Sequence, residues 1–197
     1  TLDIGGFFVK KGIQWYWNGD YDDTTQNAGY RELYTRWLQF AAFLPVFRAH
    51  GTDCRREPWN FMDDTNIFYN AIVKFIKLRY EFLPYIKEVE ESVCDNDEMI
   101  LRPLFTQFND KACEDISTQF MFGPKYMICP VTKPMYFDKE GKPLNCEKTW
   151  DVYLPSDCDW IDYWTGKTEK GGRWIKARAE IDRIPVYSPT NSAKNRL

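Results

Sequence analysis

Apolar residues recur with a helical period in two parts of the chain. The first stripe consists of Tyr30, Leu33, Tyr34, Trp37, Leu38, Ala41 and Leu44. Its i, i+3, i+4, i+7 spacing predicts an amphipathic helix that stops at Pro45. The second stripe consists of Phe68, Ile72, Phe75, Ile76 and the residues 79–83. It predicts a helix capped near Asp64 or Thr65, which Pro84 either kinks or restarts.

Short apolar runs precede these helices. Residues 2–9, with a turn at Gly5 and Gly6, are expected to form a buried strand, and residues 46–51 and 100–105 two more. Residues 117–122 are expected to form a short helix that Gly123 ends. Strands and helices that alternate in this way predict parallel βα units.

The pattern changes after residue 123. Five short apolar segments separated by Pro, Gly, Asp and Ser predict antiparallel strands at residues 126–131, 150–154, 160–164, 174–179 and 184–187. We therefore divide the chain into an α/β domain at 1–123, a β domain at 124–187 and an uncommitted polar tail at 188–197.

Charge and cysteine content exclude several classes of protein. The 26 basic and 29 acidic residues give a net charge of −3, which argues against a general nucleic-acid binder. No apolar run is long enough for a transmembrane helix. The six cysteines are scattered without a CxxC pair, so we expect free, mostly buried thiols and no metal site.

Aromatic residues make up 17% of the chain, and two interpretations are open. A large aromatic core accounts for most of them. Some aromatic residues lie beside Gly, Asn and Asp instead, where an exposed ring next to polar groups suits a sugar. A long polar loop at residues 10–29 contains Trp15, Tyr16 and Trp17 and is typical of a functional loop.

Polar side chains at the C-terminal ends of three predicted parallel strands are candidates for chemistry. They are Asp3, Arg48 with His50, and Arg102. The carboxyl ends of parallel strands form the active-site edge of a (β/α)8 barrel. Asp3 is either a structural ion-pair partner, with arginine as the usual counterion, or a substrate ligand. His50, the only histidine, is either structural or a donor to a sugar hydroxyl.

Two further segments contain charged or aromatic residues that could serve a site. Trp17, Asn18, Gly19 and Asp20 form either a sugar platform with a polar anchor or an Asx turn beside a packed Trp17. Residues 55–57, Arg-Arg-Glu, are expected to be a solvated charged face.

No P-loop, GxGxxG, HExxH or GxSxG motif occurs, so nucleotide-binding, zinc-protease and α/β-hydrolase functions have no support.

Several of these motifs together resemble glycoside hydrolase family 31, the retaining α-glycosidases. The matching blocks, in family order, are DIGGF (3–7), ELYTRWLQFAAFLPVFRAHG (32–51), LRYEFLPYI (78–86), RPLF (102–105), QFMFGPKYMICPV (119–131) and VYLPSDCDWIDYWTG (152–166). The resemblance extends from the first residues to about Tyr187. It implies an α/β chain that holds the C-terminal portion of a (β/α)8 TIM barrel followed by an antiparallel β-sandwich segment.

The resemblance also implies double displacement by two aspartates, a nucleophile and an acid/base, which retaining enzymes hold roughly 5–5.5 Å apart. In the family both precede DIGGF, so we expect neither catalytic aspartate in this chain. Residues 17–20, Trp-Asn-Gly-Asp, match the acid/base motif W-x-G-D, but they follow DIGGF in the chain. We therefore interpret Asp20 as an active-site loop residue, with the acid/base role as the alternative.

Substrate recognition is what the resemblance transfers residue by residue. His50 matches the histidine that contacts the sugar in the −1 subsite. Asp3 matches the aspartate of the same pocket, where it is expected to orient an arginine from outside this chain. Phe7 matches an aromatic residue at the pocket rim, and Trp17 and Asp20 are expected to contribute an outer subsite.

The expected function is therefore that of a fragment of an α-glucosidase or α-xylosidase that contributes −1 subsite contacts and is inactive alone. The expected partner is an α-linked oligosaccharide or α-glycoside, with no cofactor, metal, nucleic acid or membrane segment. Two alternatives stay open. One is a non-catalytic carbohydrate-binding chain that lacks the catalytic aspartates, and the other is a chain without autonomous function.

Overall fold

The computed structural model describes residues 1–10 and 21–190, which form two compact units. The first unit consists of Thr1–Glu81, Val131–Lys148 and Glu180–Arg183. The second consists of Phe82–Pro130, Thr149–Ala179 and the segment that begins at Ile184. The division of the chain near residue 123 into two domains stays a prediction.

Two helices organise the first unit, and both were predicted. Helix α1 spans Ala28–Ala41, and α2 spans Ile67–Glu81. The side chain of Asn27 caps α1 by accepting hydrogen bonds from two free amides of its first turn. Short 3₁₀ helices cover Thr24–Gln26 and Pro58–Phe61. The core contains Tyr34, whose ring stacks on that of Phe61 at 4.1 Å between centroids.

The two strands predicted in this unit, at residues 2–9 and 46–51, are wrong. Neither segment belongs to a β-ladder among the described residues. A strand exists only where a neighbour satisfies its backbone, and here the amides bind turns and side chains instead. The Gly6 amide donates to the Asp3 carbonyl at 2.8 Å, and the Val9 amide donates to the Asp53 carboxylate. The predicted turn at Gly5 and Gly6 is confirmed, with φ values of 81° and 85°.

The second unit begins with helix α3, Leu83–Asn96. Pro84 lies in its first turn, so the proline restarts a helix rather than kinking one, as its missing amide allows. The other elements of this unit are β1 Leu101–Pro103, α4 Leu104–Gln107, β2 Phe120–Phe122, β3 Tyr126–Ile128, β4 Thr149–Leu154, β5 Trp160–Asp162, β6 Thr168–Glu169, β7 Arg173–Arg178 and β8 Val186–Pro189.

The strands of the second unit form two antiparallel sheets. One has the order β1-β2-β3-β8-β5-β6, and the other is the pair β4-β7. The antiparallel strands predicted after residue 123 are confirmed at β3, β4, β5, β7 and β8. All ladders within residues 1–10 and 21–190 are antiparallel, so the predicted parallel βα pairing is not observed there.

The short helix predicted at residues 117–122 is wrong. Residues 120–122 form β2, which pairs Phe120 with Ile128 of β3 and Phe122 with Tyr126. Gly123, with φ of 54°, begins the turn between these strands. The Phe-Met-Phe sequence suits a partly buried pleated surface, and this tertiary pairing overrides the helical pattern.

All six cysteines are free, as predicted, but the expectation that most are buried is wrong. Cys113 and Cys129 are buried, Cys54 and Cys158 are half-buried, and Cys94 and Cys146 are exposed. Cys113 and Cys129 belong to the core of the second unit, together with the fully buried Trp160. Burial alone raises the pKa of the Cys129 thiol, so this thiol stays protonated and unreactive.

Asp110 gives the second unit a distinctive acid dependence. The Tyr153 hydroxyl donates to the Asp110 carboxylate at 2.7 Å, and the Ser156 and Ala112 amides donate at 2.8 and 3.1 Å. These hydrogen bonds, with that of Tyr153 the strongest, favour the ionised carboxylate and lower the pKa of Asp110 to about 2. Their contribution is therefore complete above the ordinary aspartate pKa of ~3.9 and disappears as the pH falls through about 2.

We expect Asp110→Asn to remove this acid dependence. After allowance for solvent screening, the variant should lose about 1 kcal/mol of unfolding free energy near neutral pH. It should lose much less at about pH 2, where the wild-type carboxylate is also half protonated. Urea unfolding at the two pH values measures the difference. Asp110 caps the 3₁₀ helix Lys111–Asp115, and Asp115→Asn, at the exposed last residue of that helix, is the control. Equal losses for Asp110→Asn at both pH values would contradict the assignment.

Candidate functional site

Two segments of the first unit lie against each other and contain most of the predicted site residues. One includes residues 3–10, and the other includes residues 48–56. The Thr52 amide donates to the Phe7 carbonyl at 3.1 Å. The Asp53 carboxylate accepts from the Val9 amide and, at 2.8 Å, from the Lys10 amide. The two segments are thus joined on both sides of residue 8, by a backbone hydrogen bond at Phe7 and by the Asp53 side chain at Val9 and Lys10.

Asp3 and Arg48 form an ion pair between these segments. Arg48 Nη2 lies 3.0 Å from Asp3 Oδ1, and the two side chains keep 49% and 31% of their surface exposed. Asp3 therefore has the arginine partner that was expected, but this arginine belongs to the chain itself. Because both side chains stay partly exposed, their remaining polar atoms can hydrogen-bond a ligand from solvent.

Phe7 and His50 form the second side-chain contact between the segments. Their ring centroids lie 5.2 Å apart with an interplanar angle of 60°. Phe7 is half-buried and also packs edge-on against Phe8 at 4.8 Å, whereas His50 is exposed. The arrangement presents an imidazole with two polar nitrogens beside an apolar ring, a combination that suits a polyol with one apolar face.

Two tyrosines of helix α1 hydrogen-bond to the backbones of the two segments. The Tyr30 hydroxyl donates to the Gly5 carbonyl at 3.2 Å, and the Tyr34 hydroxyl donates to the Arg56 carbonyl at 2.8 Å. Burial is the main cause that raises the pKa of both phenols above the ordinary value. They therefore remain protonated donors across the physiological range and hold both segments to the helix.

The structure thus places Asp3, Phe7 and His50 on the same two adjoining segments, whereas the other predicted site residues stand apart. Trp17 and Asp20, with Trp15, lie outside the described residues. Arg102 belongs to the second unit, where its guanidinium binds Glu98 and Gln107. That environment makes Arg102 a structural ion-pair partner.

The sequence patterns did not identify Arg56 and Asp53 as residues of the site. The prediction of a solvated face at residues 55–57 is correct for Arg55 and Glu57 but wrong for Arg56, which is only 8% exposed. Arg56 is inside because its guanidinium donates to the carbonyls of Gly6, Phe7 and Cys54. The charged neighbours on either side gave the sequence no signal that set the middle residue apart.

Several of the predicted core aromatics are confirmed. Tyr34, Phe68 and Phe75 are buried in the first unit, and Trp37 is half-buried.

Within residues 1–10 and 21–190 no three His, Cys, Asp or Glu side chains come together as a metal site would require. No helix in this part of the chain combines the length and apolarity of a membrane span.

Family models identify the class of protein. The model of the glycosyl hydrolases family 31 TIM-barrel domain matches residues 1–89. The model of the glycosyl hydrolase family 31 C-terminal domain matches residues 97–193. The chain belongs to glycosyl hydrolase family 31, as its sequence motifs predicted.

Two relatives to which this chain is similar are alpha-xylosidases. An alpha-xylosidase of Saccharolobus solfataricus is 36% identical over 95% of this chain, which corresponds to 22% of the relative. Alpha-xylosidase A of Aspergillus niger is 32% identical, again over 95% of this chain and 26% of its own length. The chain spans about a quarter of the length of these relatives or less.

Solved structures show the same likeness. The family 31 alpha-xylosidase of Xanthomonas citri matches with a TM-score of 0.78 and 36% identity, over 95% of this chain and 19% of that one. A soil-metagenome alpha-xylosidase complexed with xylose matches with a TM-score of 0.77 and 27% identity, over 96% of this chain and 27% of that one.

Proposed function

We propose that this chain forms part of the substrate-binding site of a retaining α-glycosidase, of the α-xylosidase or α-glucosidase type. The observation that carries the proposal is that the same two adjoining segments hold both the Phe7–His50 ring contact and the partly exposed Asp3–Arg48 ion pair. Family membership and the two α-xylosidase relatives support the substrate class. We further propose that residues 1–123 are the C-terminal part of a (β/α)8 barrel and residues 124–187 part of a β-sandwich.

Each side chain of the site has a distinct role in this proposal. Asp3 and Arg48 offer an acceptor and donors to adjacent hydroxyls of a −1 sugar. The imidazole of His50 hydrogen-bonds another hydroxyl, and the Phe7 ring covers an apolar C–H face. As the sugar flattens toward an oxocarbenium-like transition state, fixed polar contacts of this kind strengthen and contribute to catalysis.

The bond-breaking chemistry is assigned to other residues. Retaining hydrolysis requires a nucleophile and an acid/base on opposite sides of the scissile bond. Asp3 is held by Arg48, and in this proposal it recognises substrate rather than attacking it. Trp17 and Asp20 remain candidates for an outer subsite. The expected behaviour of the chain is therefore sugar binding without turnover.

The unique histidine makes the proposal directly testable. Titrating the chain with D-xylose and, separately, with D-glucose should shift the NMR signals of the His50 ring. The sugar that shifts them at lower concentration identifies the −1 specificity. Aryl α-xyloside and aryl α-glucoside should bind without hydrolysis. No response of His50 to any of these compounds would overturn the proposed site. Hydrolysis would show that the chain itself supplies the catalytic carboxylates.

An ion pair elsewhere in the first unit provides a matched control. Lys74 and Asp182 form a pair at 2.8 Å whose exposures, 39% and 45%, resemble those of Arg48 and Asp3. Asp3→Asn should weaken sugar binding about tenfold, whereas Asp182→Asn should leave it unchanged. Both variants should change the unfolding free energy by at most about 1 kcal/mol. Equal effects of the two variants on binding would contradict a ligand role for Asp3.

A further inference from the structure

We propose that Arg56 and Asp53 are positioning residues that fix Phe7 against His50 without touching the sugar. The inference rests on the proposed function. Neither residue belongs to the set of groups assigned to the substrate above. Both are largely buried, with 7% and 10% of their side-chain surface exposed, so they act on the site through other residues.

Arg56 binds the backbone on both sides of the site. Its Nη2 donates to the Gly6 carbonyl at 2.7 Å and to the Phe7 carbonyl at 3.2 Å. Its Nη1 donates to the Cys54 carbonyl at 2.6 Å. A planar guanidinium fixes several acceptors in one geometry, which a flexible ammonium does not do. The backbone that carries Phe7 is therefore held to the loop that follows His50.

Asp53 completes the same connection from the other side. Its carboxylate accepts from the Val9 amide at 3.0 and 2.9 Å and from the Lys10 amide at 2.8 Å. It also lies 3.9 Å from Arg56 Nη2, close enough for charge attraction between the two. Arg56 thus holds residues 6 and 7, and Asp53 holds residues 9 and 10. The segment that presents Phe7 is secured at both ends by neighbouring side chains of one loop.

Gly51 shows how closely this arrangement is fitted. A Cβ at residue 51 would lie 2.5 Å from the Phe7 carbonyl oxygen and would collide with the Arg56 guanidinium. His50 is the residue that directly precedes Gly51 in the chain. The Arg56 guanidinium therefore fills the space between the backbone of Gly51 and the backbone of Phe7. This contact couples the position of Phe7 to that of the His50 backbone.

The pair of rings supplies a readout that does not need a sugar. Because the two rings are in contact, we expect the ring current of Phe7 to displace the NMR signals of the His50 ring. We expect Arg56→Met to move these signals toward those of a free imidazole and to weaken sugar binding about tenfold or more. Arg56→Lys should be intermediate, because one ammonium restores the charge but not the forked contacts. Asp53→Asn should move the same signals in the same direction.

Arg36 provides the control for general destabilisation. It is also buried in the first unit, and its guanidinium donates to the carbonyls of Glu180 and Arg183 at 3.2 and 2.9 Å. Arg36→Met should lower thermal stability as Arg56→Met does, but should leave the His50 signals of the folded protein in place. Unchanged His50 signals in folded Arg56→Lys, or equal shifts from Arg36→Met, would overturn the proposal.

The two proposals fail in different ways. If the wild-type chain binds no sugar but Arg56→Met still displaces the His50 signals, the positioning role stands and the proposed function fails. If sugar shifts the His50 signals and the Arg56 variants bind it as the wild type does, the positioning role fails and the proposed function stands.

Discussion

Replacing Glu32 with alanine is expected to lower the free energy of unfolding by about 3–5 kcal/mol. The Glu32 carboxylate on α1 is only 1% exposed. It accepts hydrogen bonds from three successive amides, those of Met135 at 2.7 Å and of Tyr136 and Phe137 at 2.9 Å. Removing it leaves all three donors without their acceptor, and the cost of a buried unsatisfied donor is large. Urea unfolding at neutral pH measures the loss.

Two further variants separate this role from a general effect of removing charge. Glu32→Gln keeps one acceptor oxygen and should lose less than Glu32→Ala. Glu169→Ala removes a half-exposed carboxylate whose partner is Arg173 and should cost less than about 1 kcal/mol. If Glu32→Ala costs no more than Glu169→Ala, the three amides must have found other acceptors, and the role assigned to Glu32 is wrong.

Helix α1 illustrates what one sequence reveals about the fold. Its apolar stripe predicted the helix, which ends at Ala41, within a few residues of the expected stop at Pro45. The stripe did not predict that Glu32, Arg36 and Gln39, spaced along one face, are also buried. Glu32 binds a segment 103 to 105 residues away, and Gln39 binds the Ile181 carbonyl 142 residues away. Local periodicity carries no information about such distant partners.

The outcome for strands depended on where their hydrogen-bond partners lie. Residues 126–128 have both neighbours, β2 and β8, in the same unit, and the predicted strand is there. Residues 2–9 are equally apolar but have no ladder partner among the described residues. Apolar alternation therefore identifies segments that suit a sheet, whereas a strand also requires a neighbouring backbone.

The residues of the candidate site likewise differ in whether the sequence motifs identify them. Asp3, Phe7 and His50 were identified because their residue types and order resemble family motifs. Arg56 gave no such signal, because charged residues flank it and its burial depends on carbonyls about 50 residues away. The residues that we propose to contact substrate are thus visible in motifs, while those that we propose to position them emerge only from the folded chain.

Gly51→Ala is expected to disrupt the site more than any substitution of a contact residue. The added Cβ would meet the Phe7 carbonyl oxygen at 2.5 Å, far inside normal contact, and would displace the Arg56 guanidinium as well. Since one of these neighbours is backbone, rotation of a side chain cannot relieve the collision. We expect a loss of about 3 kcal/mol in unfolding free energy. Sugar binding should weaken ~100-fold, because Phe7 and His50 separate.

Gly141 is the matched control within the same unit. Its φ of 77° makes alanine unfavourable, but the nearest atom to an added Cβ is 3.5 Å away, an ordinary contact. Gly141→Ala should therefore cost about 1 kcal/mol from backbone conformation alone and leave sugar binding intact. Thermal unfolding, sugar titration and the NMR signals of His50 distinguish the two variants. If Gly51→Ala matches Gly141→Ala in all three, Phe7 and His50 do not depend on this close approach, and their coupling through Arg56 is refuted.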